Sequence, residues 1–362
     1  MPDSPHSRAF EVLATPPPAL RHDEAEQIAA EHFGVQGIAT PLAAERDQNF
    51  QVVSADGGKF VLKFSNPLEP LEVTRFQTTA LSHIATDSPA LPVPRVCCTL
   101  DGKTDVQVGV GGEETCTARL FTYLNGAPLD SPKMKGHGST PQLRVELGRF
   151  LAKLDLALNN FNHPGANEEL PWNLAHAHTL ESLLPYVKAP QRRTLLAHHL
   201  EHFRKTVLPS LSQLRWQVIY NDLNASNVLV DPIQPERITG LVDFGDLARA
   251  PLIADVAVAA TYQLRHTGEP LEAAAQLLSG YHQVTQLKAA EVDVLFDLIV
   301  TRLVIALLIT TWRATLYPAN RDYILRNTSS NWDVLQHLDS LSPQVARIRF
   351  RGACGLPKPL SS

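Results

Sequence analysis

The sequence predicts an α+β protein in two lobes, an N-terminal lobe of antiparallel sheet plus helix and a C-terminal lobe that is mainly helical. Three observations carry this. Short β-branched and aromatic runs separated by the turn signals Asp56-Gly57-Gly58 and Asp101-Gly102 crowd the chain before residue 124. Beyond about residue 130 apolar residues recur at helical spacing almost throughout. Between the two regimes lies Asn125-Gly126-Ala127-Pro128, which stops a strand. The 362 residues, 44% of them hydrophobic, suffice for two cores. The expected organisation is a loose arm over 1–20, an N-lobe over 21–124, a hinge at 125–128, a C-lobe over 129–340 and a tail over 341–362.

In chain order, Pro16-Pro17-Pro18 marks the loose arm. Asp23–Phe33 reads as a helix with Ala25, Ile28, Ala29 and Phe33 on one face and Gly34 to end it. Phe50–Ser54 and Lys59–Phe64 read as a hairpin, Glu69–Ile84 as a helix, and Pro94–Leu100 with Thr104–Val110 as a second hairpin. Thr115–Tyr123 is the next strand. Leu143, Leu147, Phe150, Leu151 and Leu154 share one helix face, and helices follow at 178–188 and 192–213. Leu295–Trp312 imitates a membrane span, but Asp297 and Arg302 are costly at mid-bilayer, so a buried helix explains it better. Leu341–Ser362 carries Pro and Gly and reads as a tail.

The stretch Trp216–Asp246 holds the chemistry. A strand, Trp216–Tyr220, leads into a polar loop with Asp222, Asn224 and Asn227; a second strand follows at Val228–Val230, and a third, Ile238–Val242, ends on Asp243-Phe244-Gly245. Taken singly, Asp222 and Asn227 suit a turn and Asp243 a strand end. Together they are what phosphoryl transfer from a nucleotide needs. One carboxylate accepts the proton of the attacking hydroxyl, and a carboxamide with a second carboxylate supplies hard oxygen ligands for Mg²⁺. Upstream, Lys63 is a lone cation in the apolar strand Phe60-Val61-Leu62-Lys63-Phe64, and the polar run Glu45-Arg46-Asp47-Gln48-Asn49 precedes it. A snorkelling edge lysine and a solvated turn would account for both equally simply.

These residues resemble the catalytic and metal-binding loops of the aminoglycoside phosphotransferase-like small-molecule kinases, a group that includes choline, homoserine and hydroxylysine kinases and shares the two-lobed protein-kinase-like fold. Their usual loop is His-Gly-Asp with Asn five residues on; here it is Tyr220-Asn221-Asp222 followed by Asn227. The resemblance implies Asp222 as catalytic base and Asn227 and Asp243 as Mg²⁺ ligands. It implies Lys63 on the nucleotide phosphates, with Gln77, or else Glu72, orienting it. Arg46, Asp47, Gln48 and Asn49 would form the phosphate-covering loop, which lacks the glycine-rich pattern of protein kinases. The backbone of Thr122 and Tyr123 would meet the purine, and Asp255 would hold the catalytic-loop backbone. Arg46-Asp47-Gln48-Asn49-Phe50, Phe60-Val61-Leu62-Lys63, Ile219-Tyr220-Asn221-Asp222 and Asp246 look closest to the hydroxylysine kinase-like subgroup. That implies ATP or GTP as donor and an amino alcohol or hydroxy amino acid as acceptor. Asp246 and Trp172 are then candidates for its ammonium, and Arg302 or Arg313 for a carboxylate. An aminoglycoside kinase is the first alternative. A nucleotide-binding pseudokinase, suggested by Tyr220 and Gln77, is the second.

Composition narrows the partners. A net charge of −5 gives no electrostatic footprint for nucleic acid or an anionic membrane. Cys97, Cys98, Cys116 and Cys354 form no Cys-x-x-Cys pair, so zinc and a disulfide framework are not expected and a cytoplasmic setting is. The first twenty residues lack the basic and apolar regions of a signal peptide. Neither His176 with His178 nor the adjacent His198 and His199 has an Asp or Glu partner at metal spacing, and no Gly-x-Ser-x-Gly elbow is present.

Overall fold

The computed structural model describes residues 8–44, 46–111, 114–134, 139–265 and 267–358. Glu45 of the polar run, the first seven residues of the expected arm and the last four of the expected tail lie outside them. The described chain is α+β and divides into two compact units. One comprises residues 1–125 with 163–168 and 240–242; the other comprises 126–162, 169–239 and 243–362.

The first unit opens with α1 (Arg8–Leu13) and α2 (His22–Phe33). The expected loose arm is therefore partly a helix. Phe10, Val12 and Leu13 are buried, and Asn66 Nδ2 donates to the Thr15 and Pro16 carbonyls, so apolar burial and a side-chain tether override the proline signal. The strands are β1 (Gly37–Leu42), β2 (Gln48–Ser54), β3 (Lys59–Phe64), β4 (Val96–Cys97), β5 (Val106–Gly111) and β6 (Glu114–Thr122), with α3 (Leu71–Asp87) between β3 and β4. The sheet runs β1-β2-β3-β6-β4, and β5 also pairs with β6. The second hairpin expected from the sequence is absent, because the long β6 takes β4 along one part of its edge and β5 along another.

Strand alternation assigns the two faces of this sheet. Phe50, Val52, Leu62, Phe64, Ala118 and Leu120 join a buried cluster with Ala25, Ala29 and Phe33 of α2. Asn49, Lys63 and Arg119 are register neighbours across β2, β3 and β6 and face the other way. On that side Arg119, 2% exposed, ties the sheet to α3 through the Thr74 carbonyl at 3.0 Å and Gln77 Oε1 at 2.9 Å.

The second unit begins with β7 (Ala127–Pro128), so the expected hinge is partly a strand, paired with β9 (Val228–Val230). Its remaining elements are α4 (Pro141–Leu158), α5 (Pro190–His202), α6 (Leu208–Leu211), β8 (Trp216–Ile219), the first half of β10 (Ile238–Leu241), whose last two residues fall in the first unit, β11 (Ala248–Pro251), α7 (Leu252–Gln263), α8 (Pro270–Val284), α9 (Ala289–Leu316), α10 (Arg321–Ile324), α11 (Thr328–Asp339) and α12 (Pro343–Ala353). A run of 3-10 turns over Leu174–Tyr186 replaces one expected helix, and a π turn at Phe203–Val207 interrupts another. α4 and α8 approach backbone to backbone. A Cβ on Gly148 would fall on the Leu277 carbonyl and one on Gly280 on the Val145 carbonyl, so both positions admit only glycine.

α9 contains the stretch that imitated a membrane span, and most of its residues are buried against the rest of this unit. Among the described residues no helix is long and apolar enough to cross a membrane. The expected tail is also corrected: α12 buries Ala346 and Phe350, and Arg351 pairs with Asp293 of α9 at 2.5 Å. Amphipathic spacing prevails there over the flanking Pro and Gly.

Candidate active site

Antiparallel pairing of β8 with β11, Ile219 opposite Ala248, brings the loop after β8 beside the turn that precedes β11. The loop carries Asp222 and Asn227, and the turn carries Asp243 and Asp246. Asn221 adopts φ +66° and Asp243 φ +59°. This left-handed region excludes most side chains but tolerates Asn and Asp. Asn221 therefore fills the position where the related loops have Gly.

Asp255 of α7 fixes the loop backbone: its Oδ2 accepts from Tyr220 N at 2.9 Å and its Oδ1 from Asn221 N at 2.8 Å. Beneath it lies Asp155 of α4, whose Oδ2 accepts from Tyr281 Oη at 2.6 Å while its Oδ1 is buried and receives no donor. The two carboxyl groups act on one another's charge, which favours a proton on the pair. Burial and the charge of Asp255 push Asp155 well above the ordinary carboxylate range. Burial also pushes Asp255 up to about 6, against the pull of the Asn221 and Tyr220 N–H groups and of Asp155. Burial and the neighbouring charge thus favour the neutral form of Asp155.

The carboxylate of Asp222 is divided between two sets of donors. Oδ2 accepts from Asn224 Nδ2 and from Asn227 Nδ2, each at 2.8 Å. Oδ1 accepts from Tyr262 Oη at 3.2 Å and faces Arg302 Nη2 at 3.6 Å. Arg302, on α9, is itself held: Nη1 donates to the Trp172 carbonyl at 2.9 Å, Nη2 donates to Tyr262 Oη at 3.1 Å, and the guanidinium lies 5.0 Å from the Trp172 ring centroid. Burial first, then the charge of Asp246, pushes Asp222 up to about 7, while Arg302 and Asn224 pull it back. A carboxyl poised near neutrality suits proton acceptance.

Asn227 Nδ2 also donates to the Asp222 carbonyl at 3.1 Å, so both its N–H groups serve Asp222 and Oδ1, whose second lone pair lies beside the Tyr220 bond, is the atom that can meet a cation. Tyr220, where the related loops have His, is fully buried, meets the Phe244 ring edge-on at 5.1 Å and hydrogen-bonds with Asn227. Tyr220 thus packs against Phe244. Asp243 is exposed, and its Oδ1 accepts from Gly245 N at 3.2 Å. Among the described residues no three His, Cys, Asp or Glu converge on a metal position. One carboxamide oxygen and one exposed carboxylate nevertheless suit Mg²⁺, which takes few protein ligands and completes its shell with water and phosphate oxygens. The carbonyl of Asp246 accepts from Asn221 Nδ2 at 3.1 Å.

In the first unit Lys63 Nζ pairs with Asp47 Oδ2 at 2.9 Å. The carboxylate beside the lysine therefore comes from the polar run. Gln77 turns its oxygen to Arg119, and Glu72 is exposed. Burial works to raise Asp47, yet Lys63, Arg46 and Arg119 hold it below its ordinary range. Gln48 bonds both the N–H and the carbonyl of Leu20, each at 2.8 Å. Asn49 Oδ1 is buried with no hydrogen-bond partner among the described residues, and the Arg46 carbonyl accepts from Asn66 Nδ2. Thr122 N donates to the Arg95 carbonyl and Tyr123 N to the Lys59 carbonyl, so both N–H groups serve the sheet. The sequence reading missed Tyr262, Asp155 and the pairing role of Asp47. Tyr262 and Asp155 lie far along the chain on helices, at no telling distance from Asp222; Asp47 was in view as a loop residue.

A sheet unit bearing a paired lysine, and a helical unit whose short strands present this Asp, Asn and Asp, are the parts of a small-molecule phosphotransferase. The phosphotransferase enzyme family matches residues 38–290, and the chain belongs to that family. It is 27% identical to a hydroxylysine kinase of Mus musculus over 95% of this chain and 96% of that protein. The fold is shared with an amicoumacin kinase solved with AMP-PNP, Ca²⁺ and its antibiotic, at TM-score 0.64 and 14% identity over 85% of this chain and 94% of that one. It is shared also with a microcompartment-associated aminopropanol kinase, at TM-score 0.60 and 19% identity over 93% and 99%.

Proposed function

We propose that the protein transfers the γ-phosphoryl group of ATP or GTP to the hydroxyl of a hydroxylysine-like amino alcohol or hydroxy amino acid, with Mg²⁺, in the cytoplasm. The observation that carries this is the setting of Asp222: a carboxylate fixed at both oxygens and hydrogen-bonded to the carboxamide best suited to the metal.

The roles follow from chemistry. Asp222 accepts the acceptor's hydroxyl proton and aligns its oxygen. Because the transition state is loose, most of its effect is orientation. Tyr262 and Arg302 hold the carboxylate in place. Asn227 Oδ1 and Asp243 would hold Mg²⁺, which when bound neutralises phosphate charge. Lys63, oriented by Asp47, would pair with the nucleotide phosphates, and Asp246 would meet the ammonium of the acceptor. The homologous hydroxylysine kinases support the choice of acceptor.

The test is nucleoside diphosphate release with ATP and GTP against hydroxylysine, ethanolamine, choline, homoserine and an aminoglycoside, with and without Mg²⁺. Mg²⁺-dependent release with hydroxylysine above the other acceptors is expected. Preference for the aminoglycoside would move the protein to antibiotic phosphorylation, and nucleotide binding without any transfer would make it a binding module.

A further inference from the structure

Arg265 follows the C-terminal end of α7 and is half-buried. Its Nε donates to Asn331 Oδ1 of α11 at 3.0 Å, and its guanidinium lies 5.4 Å from the centroid of the Tyr262 ring. Tyr262 is the residue whose hydroxyl bonds Asp222 Oδ1. Among the described residues no ion pair and no Nη hydrogen bond of Arg265 is formed. Burial pulls its pKa below the usual arginine range, against the Tyr262 hydroxyl and together with two more cations, Arg326 and Arg302.

A partly desolvated guanidinium among cations costs free energy unless an anion answers it. Here the unanswered fork stands one aromatic ring from the candidate base. It also stands on the Oδ1 side of Asp222, whereas Asn227 binds Oδ2. Tyr262 thus links Arg265 to Oδ1, the oxygen of Asp222 that Asn227 does not bind. Arg302 does not compete for an anion at Arg265, because Asp222, Tyr262 and the Trp172 carbonyl occupy its guanidinium.

We infer that Arg265 binds the carboxylate of the acceptor, so that the substrate is a hydroxy amino acid and not an amino alcohol lacking a carboxylate. This rests on the kinase reading above and narrows it. Arginine presents a planar fork that matches a carboxylate with two parallel hydrogen bonds, and Asn331 with the Tyr262 ring fixes the plane of that fork.

The experiment compares hydroxylysine with hydroxycadaverine, its decarboxylated counterpart, as acceptors with MgATP, in the wild type and in Arg265→Gln and Arg265→Lys. The wild type is expected to favour hydroxylysine in kcat/KM. Arg265→Gln should erode that preference by roughly 10–100-fold, through KM for hydroxylysine, the range of one charge-assisted contact; Arg265→Lys should restore part of it. Equal use of both acceptors by the wild type overturns the inference without any variant and leaves the kinase reading standing. So does a loss in Arg265→Gln that is the same for both acceptors, or one that falls on KM for ATP, which would assign Arg265 to a phosphate. Absence of transfer to either acceptor and to the whole earlier panel removes the kinase reading and this inference together.

Discussion

Asp222, half-buried, has four side-chain neighbours, so its substitution separates charge from shape. Asp222→Asn keeps the volume and loses the basicity. Turnover should fall by about 10²–10⁴, the range of a positioned general base, while nucleotide affinity, read by isothermal titration, stays near the wild-type value. A transfer rate equal to wild type would hand the role to Asp246. Asp243→Ala removes the exposed carboxylate proposed for Mg²⁺ and should abolish turnover at ordinary Mg²⁺; normal activity there would end the metal assignment. At this scale the sequence was highly legible where side chains are clustered in the chain, as in the loop after Ile219. It was poorly legible where the partner is remote. Arg302 was seen as a substrate contact, and its bond to Tyr262 and approach to Asp222 emerge only when α9 packs on α7. Tyr220 looked like a departure from the family loop, and its ring packs against Phe244.

Between elements, the carboxyl pair joining α4 to α7 makes a pH prediction. Asp155 has a folded pKa raised above its ordinary value of 3.8. The folded state therefore binds a proton that the unfolded state has released, and stability declines as pH rises above that ordinary value toward the folded pKa. The slope approaches about 1.4 kcal/mol per pH unit for one group. Asp155→Asn supplies a permanent N–H toward Asp255 and an oxygen for Tyr281. Urea unfolding should thus show a flatter pH dependence and equal or greater stability at neutral pH. Asp255→Asn should instead destabilise, because both of its oxygens accept loop N–H groups and an amide keeps only one acceptor. A steeper slope in Asp155→Asn than in wild type would refute the neutral form of Asp155. The sequence placed Asp255 under the loop by resemblance, whereas Asp155 lies in a helix of which only the apolar face was legible. The second hairpin was misread for a related reason: local turn signals mark a reversal of the chain and do not reveal that a third strand, β6, takes both partners.

For the whole molecule, the division into a sheet unit and a helical unit was readable from the change of hydrophobic period near residue 125, while the ends of the chain were not. Proline and glycine hid α1 and α12, whose burial depends on partners distant in sequence. Phe350 is fully buried. Phe350→Ala should therefore cost about 3–5 kcal/mol in chemical denaturation, and removal of everything after Leu341 should cost more, since the bond of Arg351 to Asp293 goes with it. A melting temperature indistinguishable from wild type in the shortened chain would mean that α12 is an ornament. The approach of Arg302 to Asp222 has a temporal side as well. The two residues are eighty positions apart, and polypeptides are built from the N-terminus, with early segments free to fold first. A nascent chain finishes its catalytic loop long before the ribosome has supplied the guanidinium that answers the Asp222 charge. Until α9 has been synthesised, that carboxylate lacks the guanidinium it is paired with in the finished fold. A premature stop codon ahead of α9 would thus yield a defective fragment and not a shorter working enzyme.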